Sequence, residues 1–366
     1  MYLMLKNKKI MQLDGYKITV FYPDLLPYDI RKENVNIEDF QMFWAVDRAL
    51  PLNRTNAKAL LGAMRLPQKP FHIFLACRGL SLNDCYWVKD ESEEDLTWED
   101  VSLYRGKFSE SLLSVALLGS VSPNKIPDFP RYQKIRTPEL TGQGMAAKCF
   151  YCEDKEIYLY KISKKEYYAS QILDLTNVKH VSYEKVSEEE LYKVVDAVRL
   201  DKISETDELV VRCKLFTSEN VSFLSMLEYD TYAVYSNRNV YEEIQAGVDI
   251  FEKYRNEYLQ MLVVDYLLNN SDRHGQNWGF LTDADTMEII DFAPLFDHDH
   301  AFSMEENIQS QNTDDVMSLE KAAEFAIKNG VKIKLPTREE LLLLGLPREV
   351  YQGVSERLAI IKGWLK

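Results

Sequence analysis

The sequence predicts an α+β protein. Strand-forming runs concentrate in the middle of the chain, a mainly helical segment closes it, and a linker-like stretch sets an N-terminal portion apart. The strand signal is clearest at Lys148–Cys152 and Glu156–Ile162, two apolar runs separated by the polar turn Glu153-Asp154-Lys155. The helical signal is clearest where Phe251, Tyr254, Tyr258, Leu259, Leu262, Val263, Tyr266 and Leu267 recur at helical spacing. The linker signal is the run from Ser120 to Asp128, which holds Pro123 and Pro127.

The remaining elements follow in order. Tyr16 to Tyr22 reads as a strand broken by Pro23 and Pro27. Phe40 to Met64 is rich in helix formers, with a break at Pro51. Phe71 to Arg78 reads as a strand, and Ser109 to Leu118 as a helix. Beyond the linker, Glu166 to Leu175 is helical, Lys179 to Tyr183 extended, and Leu209 to Phe216 a strand. Ser187, followed by Glu188, Glu189 and Glu190, is an N-cap with acids in the first helical turn. The long helix ends at Asn269-Asn270-Ser271-Asp272; Trp278–Leu281 and Met287–Ile290 then pair across Asp283-Ala284-Asp285. After Asn312 the chain returns to helix, and Thr337-Arg338-Glu339-Glu340 is a capping box. Three portions result: residues 1–122, 123–218 and 219–366.

Bulk composition narrows the function. A chain of 366 residues suits two or three domains, and 46% hydrophobic with 28% charged residues is enough apolar material for a core. The formal net charge of −14 argues against direct nucleic-acid binding and against an anionic membrane surface. No apolar run is long enough to cross a bilayer, and no secretory leader is expected. The five cysteines are odd in number and scattered, so a reducing cytoplasm is the expected location.

One constellation carries chemistry. Phosphoryl transfer needs a cover for the phosphates, a cation to hold them, metal ions to bridge their oxygens and a carboxylate to orient the attacking hydroxyl. Asp272 and Asn277 stand five apart on a loop after the long helix, the separation of the base and the metal-binding Asn in protein kinase catalytic loops. Asp297 follows after the predicted strand pair, so the chain can return it to the same place. The amide of Asn277 and the carboxylate of Asp297 are hard oxygen ligands suited to Mg²⁺. Lys161 ends a strand, the setting of a phosphate-pairing lysine, while Gly142 and Gly144 leave backbone N–H groups open to anionic oxygens.

The run Asp272-Arg273-His274-Gly275-Gln276-Asn277 resembles the D-R-H-x-x-N motif of HipA-like serine/threonine kinases, and Ala293-Pro294-Leu295-Phe296-Asp297 resembles their metal motif. Ile157–Lys161 is similar to their nucleotide-lysine strand, and Glu166-Tyr167-Tyr168-Ala169-Ser170 to the helix after it. Gly79 to Val88 resembles the extra domain of one branch of that family. The resemblance implies a two-lobed, protein-kinase-like catalytic domain with a smaller N-terminal α/β domain: an accessory domain over 1–122, an N-lobe over 123–218 and a mainly helical C-lobe over 219–366. It implies an ATP- and Mg²⁺-dependent kinase for Ser or Thr, with Asp272 and Asn277 catalytic and Asn277 and Asp297 on metal. Thr141, Gly142, Gln143, Gly144, Lys161, Glu166, Lys214, Phe216 and His274 would bind the nucleotide. Thr141 is the hydroxyl nearest the loop position that the family autophosphorylates. The segment Gly142–Lys148 lacks the family's usual acid before the lysine. A toxin–antitoxin setting with an antitoxin-like partner is a further implication; the protein substrate is not specified.

Other readings of the same residues stand beside these. The acceptor could be a small molecule or lipid headgroup, since related kinases share the loop, or the chain could be a pseudokinase that binds nucleotide or a partner without transfer. Asp291-Phe292-Ala293 mimics a second kinase metal motif, and only the Pro-Leu-Phe-Asp match favours Asp297 over Asp291. Glu166 could pair with Lys161 or cap its own helix. Arg273 and His274 read as braces of the loop. Asp297-His298-Asp299-His300 cannot all face one transition metal, because neighbours in an extended run alternate sides. Cys149-Phe150-Tyr151-Cys152 is a lone pair of cysteines, read as strand residues.

Overall fold

The computed structural model describes residues 1–106, 108–120, 134–141, 144–195, 203, 207–246, 250–313 and 317–365. The linker expected from Ser120 to Asp128 therefore lies outside the described residues beyond Ser120, as do Gly142 and Gln143.

The chain opens with β1 (Tyr2–Leu5), β2 (Lys8–Asp14) and β3 (Lys17–Val20), a π-helical turn over Asp39–Ala45, α1 (Ala57–Ala63), α2 (Pro70–Ala76), β4 (Tyr86–Lys89), α3 (Trp98–Val101) and α4 (Glu110–Leu118). It continues with β5 (Lys148–Glu153), β6 (Glu156–Ile162), α5 (Lys164–Leu173), β7 (Glu184–Lys185), α6 (Glu188–Val194), β8 (Val210–Lys214) and β9 (Val221–Ser225). The rest is α7 (Met226–Tyr235), α8 (Val240–Ala246), α9 (Ile250–Leu268), β10 (Gly279–Asp283), β11 (Ile289–Phe292), β12 (Gln309–Ser310), β13 (Met317–Ser318), α10 (Leu319–Lys328), α11 (Arg338–Leu343) and α12 (Arg348–Trp364). Two compact units result. The first comprises Met1–Ile162, Lys185–Leu224 and Leu281–Ile290; the second comprises Ser163–Glu184, Ser225–Phe280 and Asp291–Lys366.

In the first unit an antiparallel sheet runs in the order β3–β2–β1–β4. Its core faces Leu3, Ile10, Met11 and Trp87 are buried, as are Phe40, Trp44 and Phe74, whose rings pack with centroids 5.2 to 6.0 Å apart. A second sheet runs β5–β6–β8–β7. The β5–β6 hairpin turns at Asp154 and Lys155, both left-handed (φ 50° and 68°), the twist that two-residue hairpins prefer. On the central strand β6, Lys161 pairs with Lys148 on one side and Val211 on the other.

Two expectations for this unit are corrected. Phe71–Arg78 is not a strand: Pro70 opens helix α2 at its first turn, and Ile73, Phe74 and Cys77 face the core at helical spacing. Phe40–Met64 is not a helix broken only at Pro51; it is the π-helical turn and α1, joined by a stretch without regular structure.

The second unit is mainly helical. Its core gathers around α9, whose Phe251, Tyr254 and Tyr258 pack on Trp278, Phe280 and Phe292 with ring centroids 5.8 to 6.4 Å apart. Helix α7 starts at a capping box in which Ser225 and Glu228 satisfy each other's backbone N–H groups. The return to helix after Asn312 comes later than expected, because β13 precedes α10. Among the described residues no helix is long and apolar enough to cross a membrane.

Candidate active site

The loop from Asn269 to Trp278 hangs from the end of α9. Asn269 takes a left-handed conformation (φ 47°), and the Asn270 N–H reaches back to the Asp265 carbonyl, so the helix stops where its last turn is capped. Asp265 and Arg273 are both almost fully buried and form an ion pair, with Arg273 Nε 3.1 and 3.3 Å from the two carboxylate oxygens. Asn270 donates to the same carboxylate at 3.2 Å.

The other arm of Arg273 fixes two pieces of backbone at once. Its Nη1 donates to the Asn277 carbonyl at 2.8 Å and to the Phe296 carbonyl at 2.6 Å. The loop carrying Asp272 and Asn277 is thereby tied to the residue before Asp297. On the far side of Asp297, the His298 N–H donates to the buried Glu166 carboxylate at 2.9 Å. Asp297 itself is left-handed (φ 60°). A buried charged side chain thus holds the peptide on each side of it.

A second brace comes from Asn312. Its Nδ2 donates to the Arg273 carbonyl at 2.6 Å, its Oδ1 accepts from Trp278 Nε1 at 2.8 Å, and its own carbonyl accepts from Tyr258 Oη at 2.6 Å. Asn277 Nδ2 donates to the Asp272 carbonyl at 3.0 Å, closing the loop on itself. The N-terminus of α7 adds two more bonds, from Met226 N–H to the Trp278 carbonyl and from Leu227 N–H to the Gly275 carbonyl. A Cβ at Gly275 would sit 3.2 Å from the Leu227 nitrogen, so this approach favours glycine.

The brace leaves Asp272 presented. Its side chain is 43% exposed while that of Arg273 is 2% exposed, which separates the residue offered to a ligand from the residue that holds the loop. His274 Nε2 lies 3.8 Å and His300 Nε2 3.9 Å from the Asp272 carboxylate. His274 Nδ1 accepts from the Gln276 N–H, so the ring also pins the loop.

Carboxylate oxygens of Glu166, Asp297 and Asp299 lie within 4.8 Å of one another. An all-oxygen donor set of this kind fits a hard divalent cation such as Mg²⁺. Asp299 is named above only within the Asp297–His300 run; a left-handed Asp297 and a turn at Asp299, not strand alternation, bring the two carboxylates together, and no local sequence pattern signals it. His298, between them, is fully buried, and loss of hydration pushes its pKa down despite Glu166 nearby. Asp291 lies within β11, one residue before its end, and pairs with Lys179 at 2.6 Å.

The nucleotide-side candidates Thr141, Gly144, Lys161, Lys214 and Phe216 belong to the first unit. Lys161 is 3% exposed on β6. Thr141 is buried and donates to the Pro138 carbonyl at 3.0 Å. Gly144 is left-handed (φ 87°), a Cβ there would fall 2.7 Å from Lys148 Nζ, and its carbonyl accepts from Arg54 Nε at 3.0 Å. Lys214 is exposed and paired with Glu156 at 2.7 Å, which raises its pKa, and Phe216 packs edge-on against Phe223. Just before this loop, Glu139 is buried and accepts from the Phe150 N–H; burial lifts its pKa to about 8 even beside Arg54, itself lowered by burial to about 10. Neither Glu139 nor Asn312 carries a local sequence signal for its role.

The α+β fold is that of a kinase-like protein. The HipA-like C-terminal domain matches residues 142–351, more than half of the sequence, and the chain belongs to that family; its function is of the kinase type. Among solved structures it is similar to a Helicobacter pylori proinflammatory kinase, CtkA, at 18% identity and a TM-score of 0.43, covering 61% of this chain and 89% of that one. It is also similar to HipA of a Shewanella oneidensis MR-1 toxin–antitoxin system, solved with HipB and operator DNA, at 12% identity and a TM-score of 0.50, covering 100% of this chain and 91% of that one. That second likeness bears on the fold alone. No match was found among the curated proteins.

Proposed function

We propose that the chain is an ATP- and Mg²⁺-dependent protein kinase that phosphorylates Ser or Thr. The observation that carries this reading is the Arg273 tether, which holds the Asn277 and Phe296 carbonyls on one guanidinium nitrogen. In the proposed reaction the acceptor hydroxyl oxygen attacks the γ-phosphorus of ATP, its proton passes to the Asp272 carboxylate, and ADP leaves. Asn277, Asp297 and Asp299 are the residues that would hold magnesium, which would neutralise charge on the phosphates. Lys161 keeps the role of a cation for the nucleotide, and His274 and Glu166 the role of holding Asp272 and Asp297 in place. The acidic net charge and the family membership support a protein acceptor over a lipid. An antitoxin-like partner belongs to the same proposal.

Asp272→Asn is the test. Purified wild type and variant are incubated with γ-labelled ATP and MgCl₂, alone and with a pool of Ser/Thr peptides, while nucleotide binding is followed by thermal shift. Transfer should fall by at least 100-fold on loss of the base, about the lower limit for general-base catalysis. Binding should stay within a few-fold. Equal transfer by the variant sinks the assignment of Asp272. ATP binding without transfer by the wild type favours the pseudokinase reading.

A further inference from the structure

A pocket of 370 Å³ opens beside the loop, lined by Met226, Leu227 and Asp230 of α7, by His274, Gly275 and Gln276, and by Gln311. Its volume falls in the range of small-ligand sites, roughly 300–1,000 Å³. All of its walls belong to the second unit. The two backbone bonds from the start of α7 to Gly275 and Trp278 fix its position relative to the loop.

Asp230 is the one acidic side chain in the lining. It is half-buried, and among the described residues its carboxylate makes no hydrogen bond and no ion pair. Loss of hydration alone pushes its pKa up. A partly dehydrated carboxylate without a partner is costly, and a cation that enters beside it recovers part of that cost. One carboxylate does not make a metal site, since hard cations gather several oxygen ligands. The other walls suit a long basic side chain. Leu227, 45% exposed, offers apolar surface for an aliphatic stem. The only other ionisable group in the lining is His274, whose ring is 3.8 Å from the Asp272 carboxylate. A chain anchored in this pocket would therefore continue directly past Asp272.

We infer that this pocket takes a lysine or arginine side chain of the acceptor protein, its stem along Leu227 and its cationic head on Asp230. The inference rests on the proposed phosphate transfer for its use, and it names the acceptor class as a sequence with a basic residue near the phosphorylated Ser or Thr. Asp230 is then a specificity residue that takes no part in the transfer itself.

The experiment uses the full chain and fluorescent peptides that carry one Ser and one Arg, the Arg scanned through the positions on either side, each compared with its Gln counterpart. Anisotropy gives affinity without nucleotide, and phosphate transfer is measured on the same peptides with ATP and MgCl₂. The wild type should prefer Arg over Gln at one or two positions by about tenfold, equivalent to about 1.4 kcal/mol. Asp230→Asn should abolish that preference, and Asp230→Lys should reverse it in favour of Glu at the same positions. Both variants should keep nucleotide binding and thermal unfolding close to wild type. No Arg preference in the wild type, or a preference that survives in Asp230→Asn, overturns the inference. Transfer without charge preference removes the pocket and leaves the kinase reading, whereas an Asp230-dependent preference without transfer does the reverse.

Discussion

Replacing Arg273 with alanine should cost the second unit a large share of its stability. The guanidinium and Asp265 are both about 98% out of water, so the variant leaves an unpaired carboxylate in the core. Removing one partner of a buried ion pair typically costs about 3–5 kcal/mol, against a whole-domain stability of about 5–15 kcal/mol. The Asn277 and Phe296 carbonyls also lose a charged donor, but these losses share one side chain and do not simply add. Arg273→Lys should recover little, because a compact ammonium lacks the fork that reaches a carboxylate and two carbonyls together. The sharper test is the cycle with Asp265→Ala. Arg273 Nη2 is buried with no hydrogen-bond partner, so the pair's dehydration is incompletely offset. The double variant should therefore be more stable than the sum of the two single losses by about 1–3 kcal/mol. Urea denaturation followed by tryptophan fluorescence gives these differences from the midpoint at constant slope. A loss under about 1 kcal/mol in Arg273→Ala, or strict additivity in the cycle, would refute the reasoning.

Other tests follow from the same structure. Asn312→Ala strands the Trp278 N–H and the Arg273 carbonyl in the core, at about 1–3 kcal/mol for a buried group left unsatisfied, and denaturation would show it; a loss within 0.5 kcal/mol, roughly the effect of a surface change, would remove Asn312 from the brace. Glu139 has a folded-state pKa of about 8 against 4.5 for the free group. The folded state then binds the extra proton, so this group's contribution is fully present below about pH 4.5 and is lost as pH rises through about 8. Glu139→Gln should flatten that slope in thermal melts between pH 5 and 8, about the window in which only the folded carboxyl is protonated; an unchanged slope would mean Glu139 is charged in the folded state.

The elements legible in the sequence are those whose signal is local. The β5–β6 hairpin follows from two apolar runs around a polar turn, and α9 from aromatic residues at helical spacing. The N-cap at Ser187, which the structure shows to be a full capping box, and the capping box at Thr337 read correctly for the same reason. Phe71–Arg78 misleads because aromatic and branched residues favour strands in general, while Pro70 and the Ile73, Phe74, Cys77 spacing favour a helix in particular. Helix α7 passed unnoticed although Ser225-Met226-Leu227-Glu228 carries the same capping signal as the other two. At the site, the five-residue spacing of Asp272 and Asn277 exposes the loop, but what holds it is not local. Arg273 reaches Phe296 across 23 positions and Asn312 reaches Arg273 across 39. Glu166 reaches His298 across 132, a pairing that no pattern within one segment encodes.

That separation explains why buried charge sits under this loop at all. Counting the ion pair alone, an apolar pair in place of Asp265 and Arg273 would be as stable or more so, since dehydrating two ions offsets most of their attraction; the cost lies in the Asn277 and Phe296 carbonyls and the Asn270 amide it would strand. An apolar pair could not, however, hold two carbonyls from distant segments on one atom. Asp297 needs such a hold. Its left-handed backbone is uncommon for a residue with a side chain and costs of order 1 kcal/mol or more, so it persists only where the surroundings over-determine it. Arg273 fixes the peptide before it and Glu166 the peptide after it. If either were replaced by an apolar residue of similar size, Asp297 would relax to an ordinary conformation and its carboxylate would leave the cluster with Asp299. Stability and carboxylate position should therefore come apart: the apolar double variant at Asp265 and Arg273 should lose less stability than Arg273→Ala alone yet bind Mg²⁺ poorly, and a variant that folds and still binds Mg²⁺ as the wild type does would show that the backbone of Asp297 is set by something else.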